Sequence, residues 1–190
     1  GVDVANMTGR YLADDMTHDV ARSVRKTALE QNPDALIIAE HFHDATRDLD
    51  GDGWHANMNY TAFTRPVWSW VADPSLGNPA FGLPAPLSQI GGPDMVASMR
   101  EFDSSIPFAV TAAQWNMLGS HDTPRLATLV GDTAMVEVAA AMLLTYVGVP
   151  VIFAGDEVGL TGVNGEHARK TMPWQDPARW DDQVHEIYQN

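Results

Sequence analysis

The sequence predicts an α/β fold, and within that class a partial (β/α)8 barrel. Three observations carry this. Short apolar stretches alternate with helix-patterned ones along the chain. Three of the apolar stretches break abruptly into ionisable groups, at Asp3, at Glu40 with His41 and His43, and at His121-Asp122. The spacing fits a barrel that uses roughly 31 residues per unit: Asp3 to Glu40 and Asp122 to Asp156 each span about one unit, and Glu40 to Asp122 about two plus an excursion. Ionisable groups where a buried strand runs out do nothing for packing, but they suit the mouth of a barrel enzyme. Roughly five strands are legible, too few to close an eight-stranded barrel.

The elements follow in order. Residues 1–4 read as the tail of a strand. Thr17 caps a helix running to about Gln31, with Val20, Val24 and Ala28 along one face. Asn32-Pro33 stops it, and residues 35–39 read as a fully buried parallel strand. Residues 46–53 (TRDLDGDG) form an acidic, glycine-containing loop. Residues 54–59 give a further short strand and 61–71 a tryptophan-rich helix. The proline-rich segment 73–93 reads as a long loop over one rim. Helical pieces near 94–103 and 107–114 precede a strand at 115–119. A nearly all-apolar helix, about 133–147, ends at Gly148, and 149–154 is the last clear strand.

Composition narrows the partners. A chain of 190 residues that is 45% hydrophobic is long enough for one domain with a real core. Eleven basic against twenty-five acidic residues give a net charge of −14, which repels nucleic acid and anionic membranes. Neither is an expected partner; a neutral polyhydroxy substrate is compatible. The absence of cysteine excludes disulfides and thiolate metal sites. The longest apolar run, 134–149, contains Glu137 and is too short for a bilayer span.

Carboxylates sharing one rim suit glycoside hydrolysis. One carboxyl group protonates the departing glycosidic oxygen, and a carboxylate attacks the anomeric carbon. Other readings stand beside this one. Glu40 is a candidate ion-pair partner for Arg47, and Asp122-Thr123-Pro124 is a good helix start. His41-x-His43 has metal-pair spacing, yet no third imidazole stands at a convincing place. Asp48, Asp50 and Asp52 match the first half of a calcium loop, but Asn59 stands where a bidentate glutamate is wanted. A solvated turn is the favoured reading there, with calcium the alternative. Asp156-Glu157 reads as a loop-fixing pair, bonded to backbone N–H groups or to Arg169.

Taken together, VDVANMTGR (2–10), IIAEHFHDA (37–45) and LGSHDTPR (118–125) resemble the catalytic barrel of the α-amylase superfamily, glycoside hydrolase family 13. The likeness is to its neopullulanase, cyclomaltodextrinase and maltogenic-amylase group. MNYTAFTRPVW (58–68), VPVIFAGDEVGLTG (149–162) and RKTMPW (169–174) extend it over nearly the whole chain. The resemblance implies strands four to eight of the barrel, with residues 1–190 the C-terminal part of its catalytic domain. It implies Asp3 as nucleophile, Glu40 as general acid/base, and Asp122 with His121 gripping the reacting sugar. His43 would line a subsite. Phe42, Trp54, Tyr60 and Trp174 have apolar faces suited to stacking on sugar rings, with core packing an equal reading for each. Arg125, which closes the LGSHDTPR run, is counted with the substrate-binding residues.

The implied activity is retaining hydrolysis of α-1,4 and, as a second class, α-1,6 glucosidic bonds in maltooligosaccharides or cyclodextrins, with no cofactor. Transglycosylation or isomerisation, and a non-catalytic sugar-binding role, are the alternatives. Gly1 stands where the family has an arginine, and the first strands, the end of the last helix and a C-terminal β-domain lie outside the resemblance. The chain alone is therefore expected to be inactive, and to associate with a missing N-terminal half or with itself.

Overall fold

A computed structural model describes residues 1–76 and 87–190. In chain order its elements are β1 (Arg10–Tyr11), β2 (Asp14–Asp15), α1 (Thr17–Gln31), β3 (Ile38–Ala39) and β4 (Ala56–Asn57). There follow α2 (Arg65–Val71), α3 (Gly92–Ser104), α4 (Phe108–Thr111) and β5 (Trp115–Met117). The last are α5 (Leu126–Val130), α6 (Thr133–Thr145), β6 (Val149–Val151), α7 (Gly165–Ala168) and α8 (Asp182–Gln189). Among the described residues no helix is long and apolar enough to cross a membrane. Two compact units emerge: Gly1–Phe63 with Ala97–Asn116 and Val147–Val149, and Thr64–Val96 with Met117–Tyr146 and Pro150–Asn190.

The first unit is organised by parallel strands that neighbour one another in chain order. Val2 bridges Ala39, β3 pairs in parallel with β4, and Met58 bridges Trp115 at the start of β5. Helices and loops connect them, as parallel pairing requires. Small residues set the spacing: Ala5, Ala21, Ala39 and Ala45 are buried with Leu49, Trp54 and Val110 in one cluster. Alanine there lets helix and turn backbones approach the strands closely while Trp54 fills the space that remains.

The second unit packs α6 against α5 and α8. The Asp132 carboxylate accepts the Ala134 N–H (2.9 Å) and starts α6, whose buried side are Val136, Ala139, Ala140 and Leu143. The Thr64 hydroxyl donates to Met117 O (2.8 Å) and the Trp68 indole to Leu118 O (2.9 Å), tying α2 to the end of β5.

Several expectations change in detail. Thr17 is the first helical residue of α1 rather than its cap, and its N–H is received by Asp15 (3.2 Å). The face of α1 that is buried is Thr17 and Ala21, while Val24 is exposed, because α1 turns its short side chains toward the strands. Leu36 is 54% exposed, so the third strand is buried only at Ile38–Ala39. The helix expected from residue 61 opens as a π-helical turn, Tyr60–Thr64, before α2. Of the expected loop at 73–93, residues 77–86 lie outside the described residues; the rest includes the 3-10 turn Pro74–Leu76 and the start of α3 at Gly92. The hairpin β1–β2 and α7 have no periodic apolar signal; α5 does, with Leu126, Leu129 and Val130 buried at i, i+3 and i+4, and follows the helix start weighed at Asp122-Thr123-Pro124.

Candidate active site

In the first unit, strand pairing sets the two candidate catalytic acids side by side. The Val2 N–H donates to Ile38 O (2.9 Å) and the Glu40 N–H to Val2 O (2.8 Å), so Asp3 and Glu40 follow paired residues at the ends of adjacent parallel strands. Asp3 is exposed and Glu40 half-buried. The Val4 N–H donates to Glu40 Oε2 (2.8 Å), and the Ala5 N–H to Glu40 O (2.8 Å). Val4 reaches that position in the left-handed region, φ 45° and ψ 48°, which a β-branched residue rarely adopts. Backbone strain of this kind gathers at functional sites, where surrounding contacts hold it in place.

The residues after Glu40 build one wall. His41 is buried, and its Nδ1 accepts the His43 N–H (3.1 Å). Burial lowers its pKa by disfavouring the imidazolium. The Asn57 amide donates to His41 O (3.2 Å), anchoring this turn to β4. The His41 and His43 rings stand edge to face, 6.2 Å apart, with one nitrogen of His41 already occupied, so they do not converge as a metal pair. Phe42 stacks on Tyr60 with centroids 4.0 Å apart. Tyr60 is 1% exposed and Trp54 fully buried, so of the two readings given for them core packing fits, Tyr60 lying beneath Phe42. A polar recess of about 390 Å³ is lined by His41, His43, Asp44, Arg47, Arg10 and Asp15, among others. Arg47 pairs with Asp15 (2.8 Å), away from the partnership with Glu40 weighed above.

In the second unit, the chain beyond Met117 enters a tight turn. The Ser120 N–H donates to the Thr123 hydroxyl (2.8 Å), and the Asp122 N–H to the Ser120 hydroxyl (3.1 Å). This leaves His121 exposed and Asp122 half-buried, with His121 Nε2 3.3 Å from Asp122 Oδ2. Arg169 holds both: its Nη2 donates to Asp122 Oδ1 (2.6 Å) and its Nε to His121 O (2.8 Å). Gly165 closes against the Asp122 backbone, where an added Cβ would lie 3.0 Å from it. Arg169 thus pairs with Asp122, where the sequence had offered it as one alternative partner for Asp156-Glu157.

Asp156 has another partner. Arg125 is 1% exposed and donates to Asp156 Oδ1 (2.7 Å), to Ala154 O (3.0 Å) and to Ala168 O (2.8 Å and 3.0 Å). Its guanidinium also lies 4.1 Å from the centre of the Phe153 ring. The expectation that Arg125 binds substrate is corrected: its donors are spent inside the protein. Burial pushes the Asp156 carboxyl up to about 6, against the attraction of Arg125. Glu157 does accept a backbone N–H, from Gly155 (2.6 Å). Trp174 is 66% exposed.

The calcium-loop pattern does not assemble as written. Asn59 is buried and its amide donates to Asn116 (2.8 Å). The groups that gather are instead His18, Asp50 and Asp52, with ligand atoms within 4.8 Å of one another.

Comparison with known proteins gives the chain its relatives. A cyclomaltodextrinase of Geobacillus thermopakistaniensis is 35% identical over 181 residues, covering 92% of this chain and 27% of its own. A maltogenic α-amylase of Bacillus acidopullulyticus is 34% identical over 86% of this chain and 25% of its own. The chain thus spans about a quarter of the length of the curated relatives it matches. Among solved structures, the cyclic α-maltosyl-(1→6)-maltose hydrolase of Arthrobacter globiformis in complex with cyclic α-maltosyl-(1→6)-maltose superposes with a TM-score of 0.76 at 30% identity. That match covers 90% of this chain and 35% of the hydrolase. The family model described as alpha amylase, catalytic domain, matches residues 4–188, and the chain belongs to that family.

Proposed function

We propose that this chain is part of a retaining α-glucan hydrolase that cleaves α-1,4 and, as a second class, α-1,6 glucosidic bonds. The observation that carries the reading is the Val2–Ala39 pairing, which sets Asp3 and Glu40 at neighbouring strand ends. The names of the relatives, cyclomaltodextrinase and maltogenic α-amylase, support maltooligosaccharides and cyclic dextrins as the substrate class. Asp3 attacks the anomeric carbon while Glu40 gives its proton to the departing oxygen, so the glycosidic bond breaks as a glucosyl ester forms. Glu40, now ionised, takes a proton from water, whose oxygen displaces Asp3 and restores the starting anomeric configuration. The Val4 N–H donates to Glu40 Oε2 and so fixes the orientation of that carboxyl group. Asp122 and His121, oriented by Arg169, bind the hydroxyls of the reacting glucose and favour its distorted ring.

The parallel strands are read as the fourth to eighth of a (β/α)8 barrel, and residues 1–190 as the C-terminal part of its catalytic domain. Chain-order pairing in the first unit and the share of the relatives covered support this. Polypeptide beyond these residues completes the barrel, and the chain alone is expected to lack turnover because carboxylate placement needs a closed, rigid scaffold. No redox or organic cofactor enters these steps.

In the full-length protein, Glu40→Gln should lower hydrolysis of maltooligosaccharides by about 10²–10⁴-fold with an unchanged circular dichroism spectrum. Proton NMR of the first product formed should show the α-anomer. Near-wild-type turnover would remove Glu40 from its role, and a first-formed β-anomer would remove the retaining mechanism. Conversion of maltose to a new disaccharide, with little glucose, would favour transfer over hydrolysis.

A further inference from the structure

A second cluster of charged side chains stands apart from the residues assigned to catalysis. His18 lies in the first turn of α1, and Asp50 and Asp52 on the loop after the 3-10 turn Thr46–Asp48. His18 Nε2 is 3.1 Å from Asp52 Oδ1 and 3.5 Å from Asp50 Oδ2. These separations match the edges of a tetrahedron drawn around an ion with ligands at about 2.0–2.2 Å. The loop is held in place. Arg25 donates to Gly51 O (2.8 Å) and Gly53 O (3.1 Å), and Arg22 Nε engages the outer oxygen of Asp52 (3.0 Å), leaving Oδ1 toward His18. Gly53 has no room for a side chain, since a Cβ there would lie 2.3 Å from Asp48 O.

The independent observation is on the other side of the imidazole. Asp48 is 5% exposed, and its Oδ1 lies 3.5 Å from His18 Nδ1. Both atoms are buried and neither has a hydrogen-bond partner. A buried carboxylate facing the far nitrogen of an imidazole is the arrangement that orients a metal-binding histidine: closing from 3.5 Å to hydrogen-bond distance on metal binding, Asp48 would keep the proton on Nδ1 and free Nε2 to ligate. We propose that His18, Asp50 and Asp52 bind a divalent first-row transition ion of the Zn²⁺ type, with Asp48 orienting His18. One imidazole with two carboxylates suits Zn²⁺ better than Ca²⁺, which takes six to eight oxygen ligands.

The test is titration calorimetry of Zn²⁺ into the full-length protein, with Ca²⁺ in parallel. The expected result is one Zn²⁺ per chain. Its affinity should fall more than about tenfold in both His18→Gln and Asp52→Asn, and by about 10–100-fold in Asp48→Asn, which removes no ligand. No Zn²⁺ binding, binding indifferent to His18→Gln, or Ca²⁺ binding more tightly than Zn²⁺ would overturn the site. The last two would point to adventitious surface binding and to a calcium loop. X-ray absorption on the wild-type Zn²⁺ form covers the case where a variant does not fold. A shell of one imidazole with oxygen neighbours supports the site, and two or more imidazoles refute it.

Discussion

At the scale of single residues, burial decides which charges are used for chemistry and which for holding the fold. Arg125 and Asp156 are the buried example. Replacing Arg125 with Met leaves Asp156 enclosed without its counter-charge and three hydrogen bonds to carbonyl oxygens unmade, so Arg125→Met should cost about 3 kcal/mol. The sign with pH follows from the carboxyl being pushed up to about 6, above its ordinary value near 3.8. The stability this group contributes is full below about pH 4 and is lost as pH rises through 6. Denaturant melts should therefore show a wider gap between wild type and Arg125→Met at pH 8 than at pH 5. Equal gaps would mean that Asp156 does not titrate in that window.

His41 has the opposite sign. Burial lowers its pKa below 6.5, so the unfolded chain takes up a proton first as pH falls. Its contribution is complete above pH 6.5 and is lost as the solution is acidified through the folded value. Protonation at Nδ1 would also end the bond from the His43 N–H. The melting temperature should drop between pH 7 and pH 5, and the drop should be smaller in His41→Gln. Parallel pH profiles in the two proteins would contradict this.

At the scale of elements, strand ends do the positioning. Parallel pairing fixes register, so the residue after each paired position is presented at the same edge whatever its chemistry. That is how Asp3 and Glu40 become neighbours although they lie far apart in sequence. The boundaries of α1 and α6 were legible to within a residue or two, because capping, proline stops and apolar periodicity act within a few positions of each other. The π-helical turn Tyr60–Thr64 was not, since an extra residue per turn has no compositional mark. The hairpin β1–β2 was missed for a related reason: Leu12 takes φ 55° without a glycine or asparagine to announce it.

At the scale of the whole molecule, apolar side chains that strands and helices leave uncovered are the dominant feature. Leu36 and Leu144 are each 54% exposed, Val149 is 41% and Ile152 43%. Exposed apolar side chains of this kind associate with other chains. Expressed by itself, the chain should sediment above its monomer mass of 20.7 kDa or precipitate. A monomer that unfolds cooperatively, seen by analytical ultracentrifugation and calorimetry, would contradict the partial-barrel reading.

The sequence by itself determined the α/β class, the family, and the places where Asp3, Glu40, His121 and Asp122 leave their strands. Each of these rests on residues close together in the chain, so local pattern suffices. Only the tertiary structure decided who pairs with whom: Arg125 with Asp156, Arg169 with Asp122, Tyr60 beneath Phe42, and His18 with the aspartates of a loop more than thirty positions away. An ion pair or a stacked ring depends on separations of a few ångströms between distant segments. Residue type and spacing do not encode such separations; packing sets them.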